Sequence, residues 1–281
     1  MPLVTLNKML EDAQRGGYAV GAFNAENMEM VLAIVEAACE MRAPVIIQTT
    51  PSTVKYAGLE LYAANVRAIA ACADVPVAIH LDHGNSFELA VGAMHAGYSS
   101  VMIDGSHESF DRNIELTRAV VRVADCMGIP VEAELGSVGG KEDDLEAQNA
   151  YTMPREAAEF VVRTGVSSLA VAIGTAHGVY KRAPRLDVER LIEIRRLVDI
   201  PLVLHGASGL SDDSVRACIR EGICKVNFAT ELRVAYTDAV RKTLLDDQKI
   251  FDPKAYGKAA RAAVKELVKN RMTVCGCVGK I

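Results

Sequence analysis

Eight short β-branched runs recur along the chain, and each is followed by a stretch of helical periodicity. The runs are "YAVGAFN", "PVIIQTT", "PVAIHLDHG", "SSVMIDGS", "PVEAELG", "SLAVAIGTAHG", "PLVLHGASG" and "CKVNFATE". Four of them open directly after a Pro, which suits a strand start because Pro has no N–H to offer a ladder. The intervening segments, such as "NMEMVLAIVEAACEMR", "LELYAANVRAIAACA", "RNIELTRAVVRVADCMG" and "DVERLIEIRRLV", carry apolar residues three and four apart, and several end near a Gly. Strand–helix alternation requires a parallel sheet. Eight such units within 281 residues predict an α/β fold, a single (β/α)8 TIM barrel spanning residues 1–281 as one domain. An open doubly wound sheet is the alternative, but no G-x-G-x-x-G follows the first strand, where a dinucleotide fold would place it. The segment "LNKMLEDAQRGG" predicts an extra N-terminal helix, and the residues after the eighth strand predict a helical C-terminal extension.

Composition excludes several classes of function. The formal net charge is −5 and no basic block stands out, so a nucleic-acid partner is not expected. No apolar run is long enough to span a bilayer, and "MPLVTLNKML" has neither the charged start nor the apolar centre of a signal peptide. Seven scattered Cys, an odd number, point to reduced thiols and a cytoplasmic location. The close pair Cys275 and Cys277 is read as structural, since two Cys alone do not make a zinc site.

The strand ends are polar where the strand starts are apolar. They carry Asn24, Thr49 and Thr50, then His80, Asp82 and His83, then Asp104, Ser106 and His107, then Glu132 and Glu134. The later strands add Thr175, His177, His205, Ser208, Asn227, Thr230 and Glu231. In a barrel of this kind the C-terminal ends of the strands form the reactive face. Five of the six His lie there, with His95 alone on a helix, and five imidazoles converging on one rim predict a metal site. Imidazoles with nearby carboxylates suit Zn2+, with Co2+, Fe2+ or Mn2+ as alternatives. Side chains alternate along a strand, so His80 and Asp82 share a face and His83 opposes them. Gly84 is expected to end the strand and let the chain bend His83 back to the rim. The pattern leaves both His80 and His83 open as ligands. "GTAHG" (174–178) and "HGASG" (205–209) add Gly-rich turns that can present backbone N–H groups to a phosphate, with Lys181 close by.

Taken together and in order, "HLDHG", "MIDGSH", "VEAELG", "SLAVAIGTAHG", "PLVLHGASG" and "KVNFATEL" resemble the class II, zinc-dependent ketose-bisphosphate aldolases, in the branch of the tagatose- and fructose-bisphosphate enzymes. The resemblance covers essentially the whole chain. It implies Zn2+ on His83, His177 and His205, with His80 an orienting neighbour. It implies catalytic roles for Asp82 and for Glu142, the latter in the mobile "GSVGGKEDD" segment behind a Gly139-Gly140 hinge. Asn227 would contact the enediolate. Thr50 is a further candidate substrate contact. Gly178, Lys181, Gly206, Ser208 and Thr230 would hold the dihydroxyacetone-phosphate phosphate, where Na+ or K+ can also bind. Asp104 and Glu134 match carboxylates near an alternative metal position. Arg261, or else Lys280, would reach the distal phosphate from a neighbouring subunit of a homodimer or homotetramer.

The residue types suit that chemistry. Aldol cleavage leaves a carbanion beside a ketone, whose charge a Lewis acid can take, so no Schiff-base Lys is required. One fixed acid and one on a loop can serve different carbons. The implied reaction is reversible cleavage of fructose or tagatose 1,6-bisphosphate to dihydroxyacetone phosphate and glyceraldehyde 3-phosphate. The alternatives are a class II aldolase for another phosphorylated or otherwise anionic ketose, a metal-dependent barrel isomerase or hydrolase, and a non-catalytic phospho-sugar-binding subunit. A hydrolase would want a bridging carboxylate or a carboxylated strand-end Lys, for which only Lys225 is placed. A binding module would have no use for Asp82 and Glu142.

Overall fold

The protein is described by a computed structural model, covering residues 3–142, 145–147, 150–178, 180 and 184–281. Eleven strands are present among these residues. They are β1 (Val20–Asn24), β2 (Val45–Thr49), β3 (Val77–Gly84), β4 (Ser100–Ile103), β5 (Val131–Leu135), β6 (Gly139–Glu142), β7 (Leu145–Ala147), β8 (Ser168–Val171), β9 (Ala176–His177), β10 (Leu202–Leu204) and β11 (Ile223–Phe228). Eight of them close a parallel barrel in the order β1-β11-β10-β8-β5-β4-β3-β2, and these eight are the predicted runs. The Pro residues before strands act as acceptors only: the carbonyls of Pro76, Pro130 and Pro201 take N–H groups of Val45, Val101 and Leu169 on neighbouring strands.

Each barrel strand is followed by a helix, as the apolar spacing requires. Several helices begin at a side chain that accepts an otherwise orphan N–H. Asn27 caps Met28–Met41, Ser86 caps Phe87–Ala96, Ser109 caps Phe110–Met127 and Asp187 caps Val188–Leu197. The N-terminal helix Leu6–Gly16 buries Leu6, Met9, Leu10 and Ala13. Val4 N–H donates to the Val77 carbonyl at the start of β3, so this helix covers the strand-start end of the barrel. The C-terminal extension is the helix Pro253–Cys275, which packs on Met28–Met41 and on Thr230–Asp246. Cys275 and Cys277 are free thiols in the core, as their structural reading requires. Among the described residues no helix is long and apolar enough to cross a membrane.

The structure corrects the sequence reading in two places. The sixth run leaves the barrel after Val171, and its end, Ala176–His177, becomes β9 of a separate three-stranded sheet. The Gly-rich segment, expected as a loop with a Gly139-Gly140 hinge, forms β6, which pairs antiparallel with β7 and parallel with β9 in the register Gly139↔Ala176 and Gly140↔His177. Gly140 has φ +92°, and a Cβ there would stand 2.3 Å from the His177 carbonyl oxygen. The glycine is thus a point of close backbone approach rather than a free pivot.

Candidate active site

The strand β3 explains how neighbouring residues of opposite pleat reach one cleft. Its pairing with β4 runs His80↔Ser100 and Leu81↔Val101, then resumes at Gly84↔Ile103, so β3 gains one residue at this point. The turn is taken by His83 itself, whose φ is +49°. A non-Gly residue in the left-handed region costs about 1–2 kcal/mol. Gly84 then runs against β4 so closely that a Cβ would lie 2.4 Å from the Met102 carbonyl oxygen. The result places Asp82 and His83 side by side, with Asp82 Oδ1 4.0 Å from His83 Nε2.

Asp82 is buried and held by three amides. Asn24 Nδ2 and Gln48 Nε2 donate to Oδ2 at 2.9 and 3.1 Å, and Asn227 Nδ2 donates to Oδ1 at 3.0 Å. Burial works against its charge, yet His83, and then His205 and Lys225, hold the carboxyl below its ordinary range. Asp82 is therefore an oriented carboxylate. Asn227 Oδ1 is buried and carries no hydrogen bond, so the same amide has an acceptor to spare.

The imidazoles converge as expected. Ring centroids are 4.6 Å apart for His83 and His205, 5.0 Å for His83 and His177, and 6.0 Å for His177 and His205. Ligating atoms of these three lie within 4.8 Å of one another, and so do those of a second group, His83, Asp104 and Glu134. Two of these imidazoles lean on carboxylates. His83 Nδ1 is 2.7 Å from Asp104 Oδ2, and His205 Nε2 is 2.9 Å from Glu132 Oε1. Their other nitrogens, His83 Nε2 and His205 Nδ1, face each other at 2.9 Å. If both carboxylates take a ring hydrogen, two lone pairs confront one another, an arrangement that a positive centre between them would relieve. Glu134 Oε2 lies 3.3 Å from His205 Nδ1, buried and without a hydrogen bond. Facing lone pairs and an orphan carboxylate oxygen are what a divalent cation would satisfy, and the N/O donor set suits Zn2+.

Burial opposes a proton on His83, but Asp82 and then Asp104 hold it there, so its pKa lies well above the ordinary imidazole value, and a proton on Nε2 is the other positive centre that can fill the gap to His205. Burial, reinforced by His83 and His205, pushes His177 well below it. Burial and then Lys225 take His80 down to about 3, so this ring is neutral. His80 sits deeper, with Nδ1 2.8 Å from Ser100 Oγ, and belongs to neither ligand group.

Most of the other expected residues gather here. Gly178, Gly206, Ser208, Asn227 and Thr230 line the cleft that Asp82, His83 and His177 open onto. Ser208 Oγ accepts the Ala229 N–H at 3.2 Å, tying two strand ends together. Thr50 is not on that cleft. It precedes the helix Pro51–Ala57, and its hydroxyl lies 3.1 Å from Ser52 Oγ and 3.2 Å from Thr53 Oγ1. Arg261 is outside the cleft too. Its Nε donates to Glu36 at 3.1 Å, in a groove between the C-terminal helix and Met28–Met41. Lys280 lies over the Tyr18 ring. Lys181 falls outside the described residues, and of Glu142 the backbone alone is described, at the end of β6. The supporting roles of Gln48, Asn24, Glu132 and Lys225 were not foreseen. Their one signal was polarity within strands that are otherwise apolar.

Known proteins share this architecture. The family model "Fructose-bisphosphate aldolase class-II" matches residues 4–280. The YdjI aldolase of Escherichia coli K12 superposes with a TM-score of 0.89 at 38% identity, over 99% of this chain and 99% of that one. The fructose-bisphosphate aldolase of Campylobacter jejuni superposes with a TM-score of 0.87 at 25% identity, over 100% of this chain and 97% of that one.

Proposed function

We propose, from the premise that this chain belongs to the class II fructose-bisphosphate aldolase family and is an aldolase, that it cleaves fructose or tagatose 1,6-bisphosphate reversibly to dihydroxyacetone phosphate and glyceraldehyde 3-phosphate, with Zn2+ held by His83, His177 and His205. The observation that carries the reading is the meeting of three imidazoles beside an amide-bound Asp82 in a cleft walled by Gly-rich turns. A zinc ion there supplies Lewis-acid stabilisation of the negative charge that develops on the ketose oxygen as the C3–C4 bond breaks. Asp82, ionised and aimed by three donors, takes the C4 hydroxyl proton in cleavage and returns it to the aldehyde oxygen in condensation. Glu142 moves the proton at C3. Asn227 orients Asp82 through Nδ2 and offers Oδ1 to a substrate hydroxyl. The backbone N–H groups around Gly178 and Gly206, with Ser208, Thr230 and Lys181, hold the near phosphate, with Na+ or K+ beside it.

The test is coupled detection of dihydroxyacetone phosphate from both bisphosphates, with and without chelator. Cleavage that is lost on chelation and restored by Zn2+ or Co2+ is expected. Full activity in verified metal-free protein, or a borohydride-trapped Lys adduct, would exclude the reading. The ratio of the two rates assigns the C4 epimer.

Glu142→Ala is expected to slow proton exchange at C3 of dihydroxyacetone phosphate together with cleavage, while KM changes less. Exchange at the wild-type rate removes Glu142 from the carbanion step.

Arg261 serves the distal phosphate only if a second copy of the chain presents it, since within one chain it pairs with Glu36. In the proposed homodimer or homotetramer, Arg261→Ala narrows the preference for bisphosphate over ketose 1-phosphate by at least about tenfold, or roughly 1.4 kcal/mol. An unchanged ratio leaves Arg261 as the ion-pair partner of Glu36.

A further inference from the structure

We infer that Glu132, held in place by Lys225, is a positioning residue that decides which ring nitrogen of His205 faces the metal ion, an inference that rests on the metal reading above. Lys225 is a cation with no exposed surface in the interior of the barrel. Its ammonium donates to both oxygens of Glu132, at 2.9 Å to Oε2 and 3.2 Å to Oε1. The pair reaches across the barrel from β11 to β5, with β10 and β8 lying between them in the closed sheet. Glu132 Oε1 has a second partner, His205 Nε2, at 2.9 Å. His80 also faces this carboxylate, its Nε2 standing 3.7 Å from Oε2.

A neutral imidazole carries one ring hydrogen and can place it on either nitrogen. An ionised carboxylate only accepts, so Glu132 draws that hydrogen to Nε2 and leaves the Nδ1 lone pair turned to His83 and the cleft. Lys225 anchors both oxygens of the carboxylate from the other side, so Oε1 stays on Nε2 and the ring keeps Nδ1 turned to His83. The alternative role of the pair is a cross-brace of the barrel with no bearing on the metal. That role predicts a change in folding stability without a change in metal binding.

The full chain is purified, and its Zn2+ affinity is measured by competition with a chromophoric chelator. The variants are Glu132→Gln and the double variant Glu132→Gln/Lys225→Met, in which no buried charge is left unpaired. The double variant, folded and with a metal-free Tm near that of the wild type, is expected to bind Zn2+ about 10–100-fold more weakly and to show an altered Co2+ absorption spectrum. A folded double variant with wild-type affinity and spectrum overturns the inference. If the variants do not fold, zinc-loaded wild-type protein labelled with 15N-histidine carries the test. His205 is expected to bind through Nδ1 and keep its hydrogen on Nε2, and ligation through Nε2 overturns the inference. A wild type that binds no zinc overturns the metal reading and this inference with it, whereas tight wild-type binding beside an unaffected double variant overturns this inference alone.

Discussion

Asp82→Ala is expected to lower turnover by about 10²–10⁴-fold, the usual contribution of a positioned acid–base group, while retaining about one zinc per chain. The size follows from how the carboxylate is held. Two amides donate to Oδ2 and a third to Oδ1, so Asp82 arrives at the reaction ionised and already aligned. No other described side chain on the cleft repeats that arrangement. The Ala variant also takes the acceptor away from the buried Asn24 and Asn227 amides, while Gln48 keeps Asn24 Oδ1, so a lower Tm accompanies the lost turnover. Metal content decides whether the loss is chemical. Zinc should stay, because Asp82 belongs to neither group of ligating atoms. An Asp82→Ala protein that turns over at the wild-type rate, or one that has lost its zinc, would remove the acid–base role.

His83→Ala is expected to lose metal and activity together, down to the level of the chelated wild type. His83 is the residue common to both groups of ligating atoms, the three imidazoles and the set with Asp104 and Glu134. Removing it therefore disables either arrangement, whereas loss of His177 leaves the second group intact. Metal analysis after exhaustive dialysis, followed by Co2+ reconstitution, checks the outcome. If His83→Ala kept its zinc while Asp82→Ala lost it, the two roles assigned within "HLDHG" would be reversed.

The two variants test adjacent residues whose roles the residues alone did not separate. Strand periodicity assigned His80 and Asp82 to one face and His83 to the other, which left the ligand ambiguous. Resemblance to a known family selected His83, and the backbone supplies the physical account. An extra residue in β3 and a left-handed His83 override the alternation just where the strand ends. Such an override has no signature in hydrophobic pattern, because it is stabilised by what packs against it. The Asp104 carboxylate on the ring and the close approach of Gly84 to Met102 belong to that packing.

The hairpin that carries Glu142 shows the same limit. "GSVGGKEDD" has the composition of a turn, and two glycines in a row read naturally as a hinge. Pairing with Ala176–His177 depends on a partner more than thirty residues away, and Gly140 is needed because another backbone lies within contact distance. Arg261 shows it from the other side. Its residue type and its helix were readable, but its placement beside Glu36 was not, since a surface cation takes its partner from whichever helix packs alongside.

What the sequence determined by itself was the architecture and the chemical inventory of the rim. Eight β-branched runs separated by amphipathic helices have one economical way to bury both faces of every strand, and polar residues clustered at strand ends then fall together at one mouth of the barrel. What only the tertiary structure decided was how those groups are aimed. The three amides on Asp82 come from β1, β2 and β11, and the carboxylates behind His83 and His205 come from just after β4 and from the start of β5. The Lys225–Glu132 pair in the barrel interior joins residues 93 positions apart. Local sequence governs backbone conformation and which face is apolar. Orientation of a buried polar group is set by the nearest donors and acceptors, and in a closed barrel those arrive from distant strands, brought within hydrogen-bonding distance only when the sheet closes.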